Sequence, residues 1–186
     1  SMPYVMKSAL ESHPPESLKP GDGILVNDSL LGSGHFPDCF LITPAFLDGE
    51  IIGYIVNIAH QIDVGGAAPG SQKVLGVTES FQEGLRILPV RAVREGDFDP
   101  DMLRLILGNI RVPDKVRGDF RAQLNANTTG AARYAEFFQT YGAGQLERAF
   151  DAILDRSEDR IREVLRGVPN GTYSFEDHMD DYGADT

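Results

Sequence analysis

Residues 39–60 read CFLITPAFLDGEIIGYIVNIAH, two apolar runs joined by Asp48-Gly49. An Asp-Gly pair between β-branched and aromatic residues is a two-residue hairpin signal, because both positions of such a loop need positive φ. Counting back from Leu47 opposite Glu50 sets Asp38 against Ala59 and Pro37 against His60. Pro44 cannot donate to a ladder, so it marks the first arm as an edge or bulged strand and can slip that register by one.

Before the hairpin, Val5 to Ser12 suits a short helix. The prolines and glycines of HPPESLKPGDG (13–23) then force a turn into a strand, ILVND (24–28). Beyond residue 98 the period changes from two to three and four. Asp99 reads as an N-cap with Pro100 at the first helical position, followed by Met102, Leu103, Ile106, Leu107 and Ile110. Pro113 opens a second helix through Val116, Phe120 and Leu124. The poor helix formers of NANTTG (125–130) leave its continuity to Tyr134, Phe137 and Phe138 open. Leu146, Phe150, Ile153, Leu154, Ile161, Val164 and Leu165 define a third helix, ended by Gly167 and Pro169. Asn170-Gly171 then turns into TYSFEDHMDD (172–181), an alternating terminal strand. Strands early and helices late predict an α+β fold. It has mixed or antiparallel strands and loops over 1–98, and long helices with a closing strand over 99–186, in one domain spanning 1–186.

Composition narrows the function. The 186 residues are 41% hydrophobic and 24% charged, which suits a soluble globular protein with a core. Seventeen Lys and Arg against 28 Asp and Glu give a net charge of −11. Phosphate backbones and anionic membranes are repelled by such a surface, so neither nucleic acid nor membrane is an expected partner. A single cysteine, no secretory leader pattern and no long apolar run point to the cytoplasm. Without a secretion signal, the Asn-x-Ser/Thr triplets at Asn27, Asn127 and Asn170 carry no glycosylation reading.

Two short motifs share one form, His35-Phe36-Pro37-Asp38 and His60-Gln61-Ile62-Asp63. The hairpin brings both to its open end, and imidazole with carboxylate is a ligand mixture that Zn, Mn or Fe accepts. Pro37 blocks a regular strand, so a turn can aim His35 and Asp38 at one ion. The competing reading is a solvated turn with a local hydrogen-bonded pair. The glycines of GSG (32–34) and GGAAPG (65–70) permit tight turns, and their amides could bind an anion. Cys39 reads as a small buried hydrophobe rather than a nucleophile. His13 reads as solvent-exposed, His178 as part of an exposed acidic strand, and Arg117 with Arg121 as a solvated helix face. No G-x-x-x-x-G-K-[S/T] phosphate loop occurs.

GDGILVNDSLLGSGHFPD (21–38), AHQIDVGGAAPGS (59–71), FQEGLRILPV (81–90), LILGNIRVPDKVRGDFRAQLNAN (105–127) and VPNGTYSFEDHMDD (168–181) together resemble the B-type subunit of the hydantoinase/oxoprolinase family. The order of the segments is preserved over nearly the whole chain. The resemblance implies a metal-containing hydrolase subunit for ATP-dependent opening of cyclic amides, of the hydantoin or 5-oxoproline class. The resemblance implies an A-type partner that binds the ATP, which would account for the missing phosphate loop. It also implies a divalent metal held by His35, Asp38 and His60. Asp63 is then expected to orient His60 or to act as a general base. Family B-type subunits are longer, so the chain is expected to be a fragment with little activity alone.

The chain departs from the family pattern in places. Ser29 and Leu31 stand where hydantoinase-type members read NDPYHGGTHLPD, which puts a second metal position at Asp28 in doubt. Gln61 replaces a histidine of AHHxDVGG and is closer to the ketone carboxylase pattern. A ketone carboxylase segment and a non-catalytic assembly fragment are the alternatives.

Overall fold

The structure is a computed structural model that describes residues 2–73 and 75–177. Helix α1 (Met2–Ser12) precedes strands β1 (Gly23–Val26), β2 (Asp38–Leu47), β3 (Glu50–His60), β4 (Val90–Arg94) and β5 (Asp97–Phe98). Helices α2 (Pro100–Leu107), α3 (Pro113–Tyr141) and α4 (Ala143–Arg166) follow. The strands form one antiparallel sheet of order β3-β2-β1-β4-β5. The α+β expectation holds, with no parallel pair among the described strands.

Alternation of side chains gives the sheet two covered faces. Leu25, Cys39 and Leu41 point into a core closed by Ile106 and Leu107 of α2 and by Val116, Phe120 and Leu124 of α3. Ile24, Val26, Phe40 and Ile42 meet Val5 and Ala9 of α1 on the other side. The helix starts follow their chemistry. Asp99 accepts the amides of Asp101 and Met102, and Pro100 occupies a position where no amide is needed.

The hairpin register departs from the count made from the loop. Leu47 pairs with Glu50 and Phe46 with Ile51, but Ala45 pairs with Gly53, so Ile52 is an extra residue and the ladder slips by one. Pro44, beside this bulge, remains in register with Tyr54. The correction matters at the far end, where Asp38 rather than Pro37 lies opposite His60.

Helix α3 does not break at NANTTG. Asn127 is buried, and its side-chain amide donates to Leu41 O at 2.9 Å, Thr43 Oγ1 at 3.0 Å and Ile55 O at 3.3 Å, while its Oδ1 accepts from Asn57 at 2.9 Å. Gly130 lets the helix lie close to β3, since a Cβ there would stand 2.9 Å from Ile55 Cγ2. These poor helix formers are sheet contacts, and tertiary bonding outweighs their helical propensity.

The chain divides into two compact units, Ser1–Ala135 and Glu136–Thr186, with the division inside α3. In the second unit α4 buries none of its residues, and Phe150, Ile153, Leu154, Ile161, Val164 and Leu165 are all exposed. The terminal strand expected over 172–181 does not form over 172–177, and the remainder, with His178, lies outside the described residues. Among the described residues no helix is long and apolar enough to cross a membrane.

Candidate metal centre

A short turn and a strand end build the site. Asp38 N donates to His35 O at 3.1 Å, closing the four-residue turn that has Pro37 at its third position. Ser33 Oγ ties the same turn to His35 O at 3.1 Å and to Asp38 O at 2.9 Å. The amide of Gln61 donates to Pro37 O at 2.8 Å, which fastens the end of β3 beside it. Adjacent pairs in an antiparallel ladder alternate, so Asp38 and His60 form the close, non-hydrogen-bonded pair whose side chains meet.

They do meet. His60 Nδ1 lies 3.1 Å from Asp38 Oδ1 and His35 Nδ1 lies 3.0 Å from Asp38 Oδ2. The two rings are 4.9 Å apart, and one ligand atom from each of the three residues lies within 4.8 Å of the others. Asp38 is the most enclosed of the three and His60 the most open, at 22% and 50% side-chain exposure. Ligands bound at about 2.0–2.2 Å stand roughly 2.9–3.4 Å apart across one coordination edge. The two carboxylate–imidazole separations fall in that range, which hydrogen bonds share, and two imidazoles with a carboxylate are a donor set that a borderline divalent ion accepts.

Asp63 lies elsewhere. Its carboxylate is fully buried, with Oδ1 accepting from Gly65 N at 3.0 Å and Arg111 Nη1 at 2.8 Å, and Oδ2 from Arg111 N at 2.6 Å. Its bonds go to the Gly65 amide and to Arg111, a half-exposed guanidinium paired with a buried carboxylate, rather than to His60. Arg111 also bonds the carbonyls of Gly65 and Gly66. These glycines have φ of 86° and 74°, and a Cβ on Gly66 would reach within 2.5 Å of Gln82 O. Close backbone packing therefore explains the glycine loop, as the tight-turn reading requires.

The other singled-out residues are also placed. Asp28 is buried, accepts Arg86 Nε at 2.8 Å and caps Leu30 N at 2.9 Å, so a guanidinium neutralises it. Burial pushes the Cys39 thiol up to about 12, with the Asp38 carboxylate adding to the shift. Its thiolate is withheld, as expected of a structural cysteine. Asn27 is buried between Phe36 O, Leu85 O and Ile87 N, which closes that sequon to modification. Arg117 and Arg121 are exposed, the latter 3.6 Å from Asp97. His13 is half-buried rather than exposed. Desolvation lowers its pKa, helped by Arg91 and Arg94 and opposed by Asp22.

Sequence reasoning missed Gln123, Arg86 and Arg111, and the bond by which Gln61 reaches α3. Gln61 is buried on the strand face opposite His60, where its amide donates to Gln123 Oε1 at 3.2 Å. Gln123 donates in turn to Cys39 O at 2.9 Å and Asn57 Oδ1 at 2.8 Å. Position 61 is thus a link between the sheet and α3 and not a further ligand. The only sequence signal for these partners was the placement of long polar side chains among otherwise apolar segments.

The comparisons agree with this fold. An uncharacterized protein of Methanocaldococcus jannaschii is 36% identical over 165 residues, covering 89% of this chain and 28% of its own length. The solved ATP-dependent caprolactamase of Pseudomonas jessenii superposes with a TM-score of 0.77 at 30% identity, over 91% of this chain and 29% of that one. A nucleotide-free acetone carboxylase superposes with a TM-score of 0.65 at 26% identity, over 74% of this chain and 18% of that one. The chain spans under a third of the length of these relatives. Residues 1–186 match the hydantoinase B/oxoprolinase family throughout, and the chain belongs to that family.

Proposed function

We propose that this chain forms the metal-bearing part of a B-type subunit that opens a cyclic amide with ATP, supplied through an A-type partner. The family match supports the reaction class, and the caprolactamase relative is named as a subunit beta. The observation that carries the reading is the Asp38 carboxylate held between His35 and His60. When bound there, a divalent Zn, Mn or Fe ion would polarise a ring carbonyl and make a bound water more acidic.

The chain's own residues supply the rest. Asp38 gives the site its negative charge and, before an ion binds, holds both imidazoles by the Nδ1 atoms that the ion would take over. Ser33 and the turn amide hold Asp38 in place, and the open side of His60 leaves room for a substrate ring. Asp63 keeps the segment after β3 in position through Arg111 and takes no part in proton transfer. The ketone carboxylase reading rests on the acetone carboxylase likeness and on Gln61. Because Gln61 faces α3, that residue does not alter the metal set and does not favour the carboxylase.

Reconstitution with an A-type partner and ATP tests the proposal. Hydantoin, 5-oxoproline and caprolactam are compared with acetone or acetophenone plus bicarbonate. Ring opening that His60→Ala abolishes is the expected result, with the isolated chain inactive. Turnover of the ketones alone would overturn the hydrolase reading, and full ring-opening activity in His60→Ala would overturn the metal's role.

A further inference from the structure

Phe36 and Pro37 stand between His35 and Asp38, and the peptide that joins them has no N–H. Its carbonyl is the one polar handle by which the fold can set how that peptide lies. Asn27, directly after β1 and wholly buried, holds it. Asn27 Nδ2 donates to Phe36 O at 2.7 Å and to Leu85 O at 2.9 Å, and its Oδ1 accepts Ile87 N at 2.6 Å. The Cys39 thiol, a weak donor, approaches the same carbonyl only at 3.9 Å.

These bonds close a ring beside the site. Leu85 N donates to Val64 O at 2.7 Å, in the segment that leaves His60, and Gln61 N donates to Pro37 O at 2.8 Å. One buried amide thus spans the two stretches of chain that carry the imidazoles. Its three side-chain bonds all go to main-chain groups, so what it fixes is the path of the backbone. Residues bonded behind a metal site in this way typically change ion affinity by about 10–100-fold. Resting on the proposed metal site, we infer that Asn27 is a positioning residue: it sets the spacing of the His35–Asp38 turn from His60, and with it the geometry in which a divalent ion is held.

Titration of the whole chain with Zn²⁺, together with the visible spectrum of the Co²⁺ form, tests this in Asn27→Ala. Asn127→Ala is the control, a second buried amide bonded to main-chain carbonyls of the sheet. Asn27→Ala is expected to bind Zn²⁺ about 10-fold more weakly with an altered Co²⁺ spectrum, while folded Asn127→Ala keeps the wild-type spectrum. A wild-type chain that binds neither ion would overturn the metal reading itself. Ion binding in the wild type, with Asn27→Ala matching Asn127→Ala in affinity and spectrum, would overturn the role of Asn27 alone. If Asn27→Ala does not fold, the wild-type side-chain amides decide, followed by NMR as Zn²⁺ is added. The Asn27 resonances are expected to shift together with those of His35 while the Asn127 resonances stay in place, and an Asn27 amide that does not move refutes the inference.

Discussion

His35-Phe36-Pro37-Asp38 and His60-Gln61-Ile62-Asp63 have the same spacing and opposite fates. In the first, a proline turn folds histidine and aspartate onto each other at 3.0 Å. In the second, His60 ends β3 and reaches back to Asp38, while Asp63 continues into the interior and pairs with Arg111. Equal spacing thus yields one pair in contact and one divided pair. The backbone decides which: a turn brings positions i and i+3 together, whereas a strand end leaving the sheet separates them. One carboxylate is partly exposed and shared by two imidazoles. The other is buried and saturated by a cation.

The sharpest way to break this contrast is Asp63→Ala, which leaves Arg111 and the Gly65 amide without their acceptor. It is expected to cost about 3 kcal/mol of stability while the folded fraction still binds a divalent ion. Chemical denaturation alongside ion titration checks both. Asp38→Ala should do the reverse, lowering divalent-ion affinity about 100-fold, or ~2.8 kcal/mol, with a stability change within about 0.5 kcal/mol. Equal stability losses in the two variants would erase the distinction between them.

The hairpin, the N-cap at Asp99 and the meeting of two histidines at a strand end were all legible, because each follows from local chemistry: a loop dipeptide, a cap, an apolar period. The slip by one was signalled by Pro44, but its place was not: the extra residue is Ile52 on β3 rather than one in the arm that carries Pro44, and it moved the partner of His60 from Pro37 to Asp38. The ion pair of Asp63 was not legible because Arg111, its partner, is 48 residues away in sequence. The helix through NANTTG was left open for the same reason. Asn127 favours a turn locally, and its bonds to β2 and β3 exist only once the sheet is formed. The exposed stripe of α4 was read correctly as amphipathic, yet periodicity alone names no partner for it.

Asn127→Ala sharpens the comparison by loosening α3 from the strands that carry Asp38 and His60. A loss of about 2 kcal/mol is expected, with only a minor fall in ion affinity, read in the same two assays. The smallest effect belongs to His13, a histidine with no carboxylate bonded to its ring. Its pKa is lowered in the fold. The unfolded chain therefore takes up a proton that the folded chain resists as pH falls through the ordinary histidine range, and stability declines with acidification there. His13→Gln should flatten that part of the profile, measured as denaturation midpoints against pH.

Anomalous scattering from crystals grown with Zn²⁺ or Mn²⁺ tests the shared-carboxylate site most directly. The predicted result is one peak per chain within about 2.0–2.2 Å of His35 Nδ1, His60 Nδ1 and an Asp38 oxygen. A peak at the Nε2 atoms with Asp38 still bonded to both rings, or none at these residues, would contradict it.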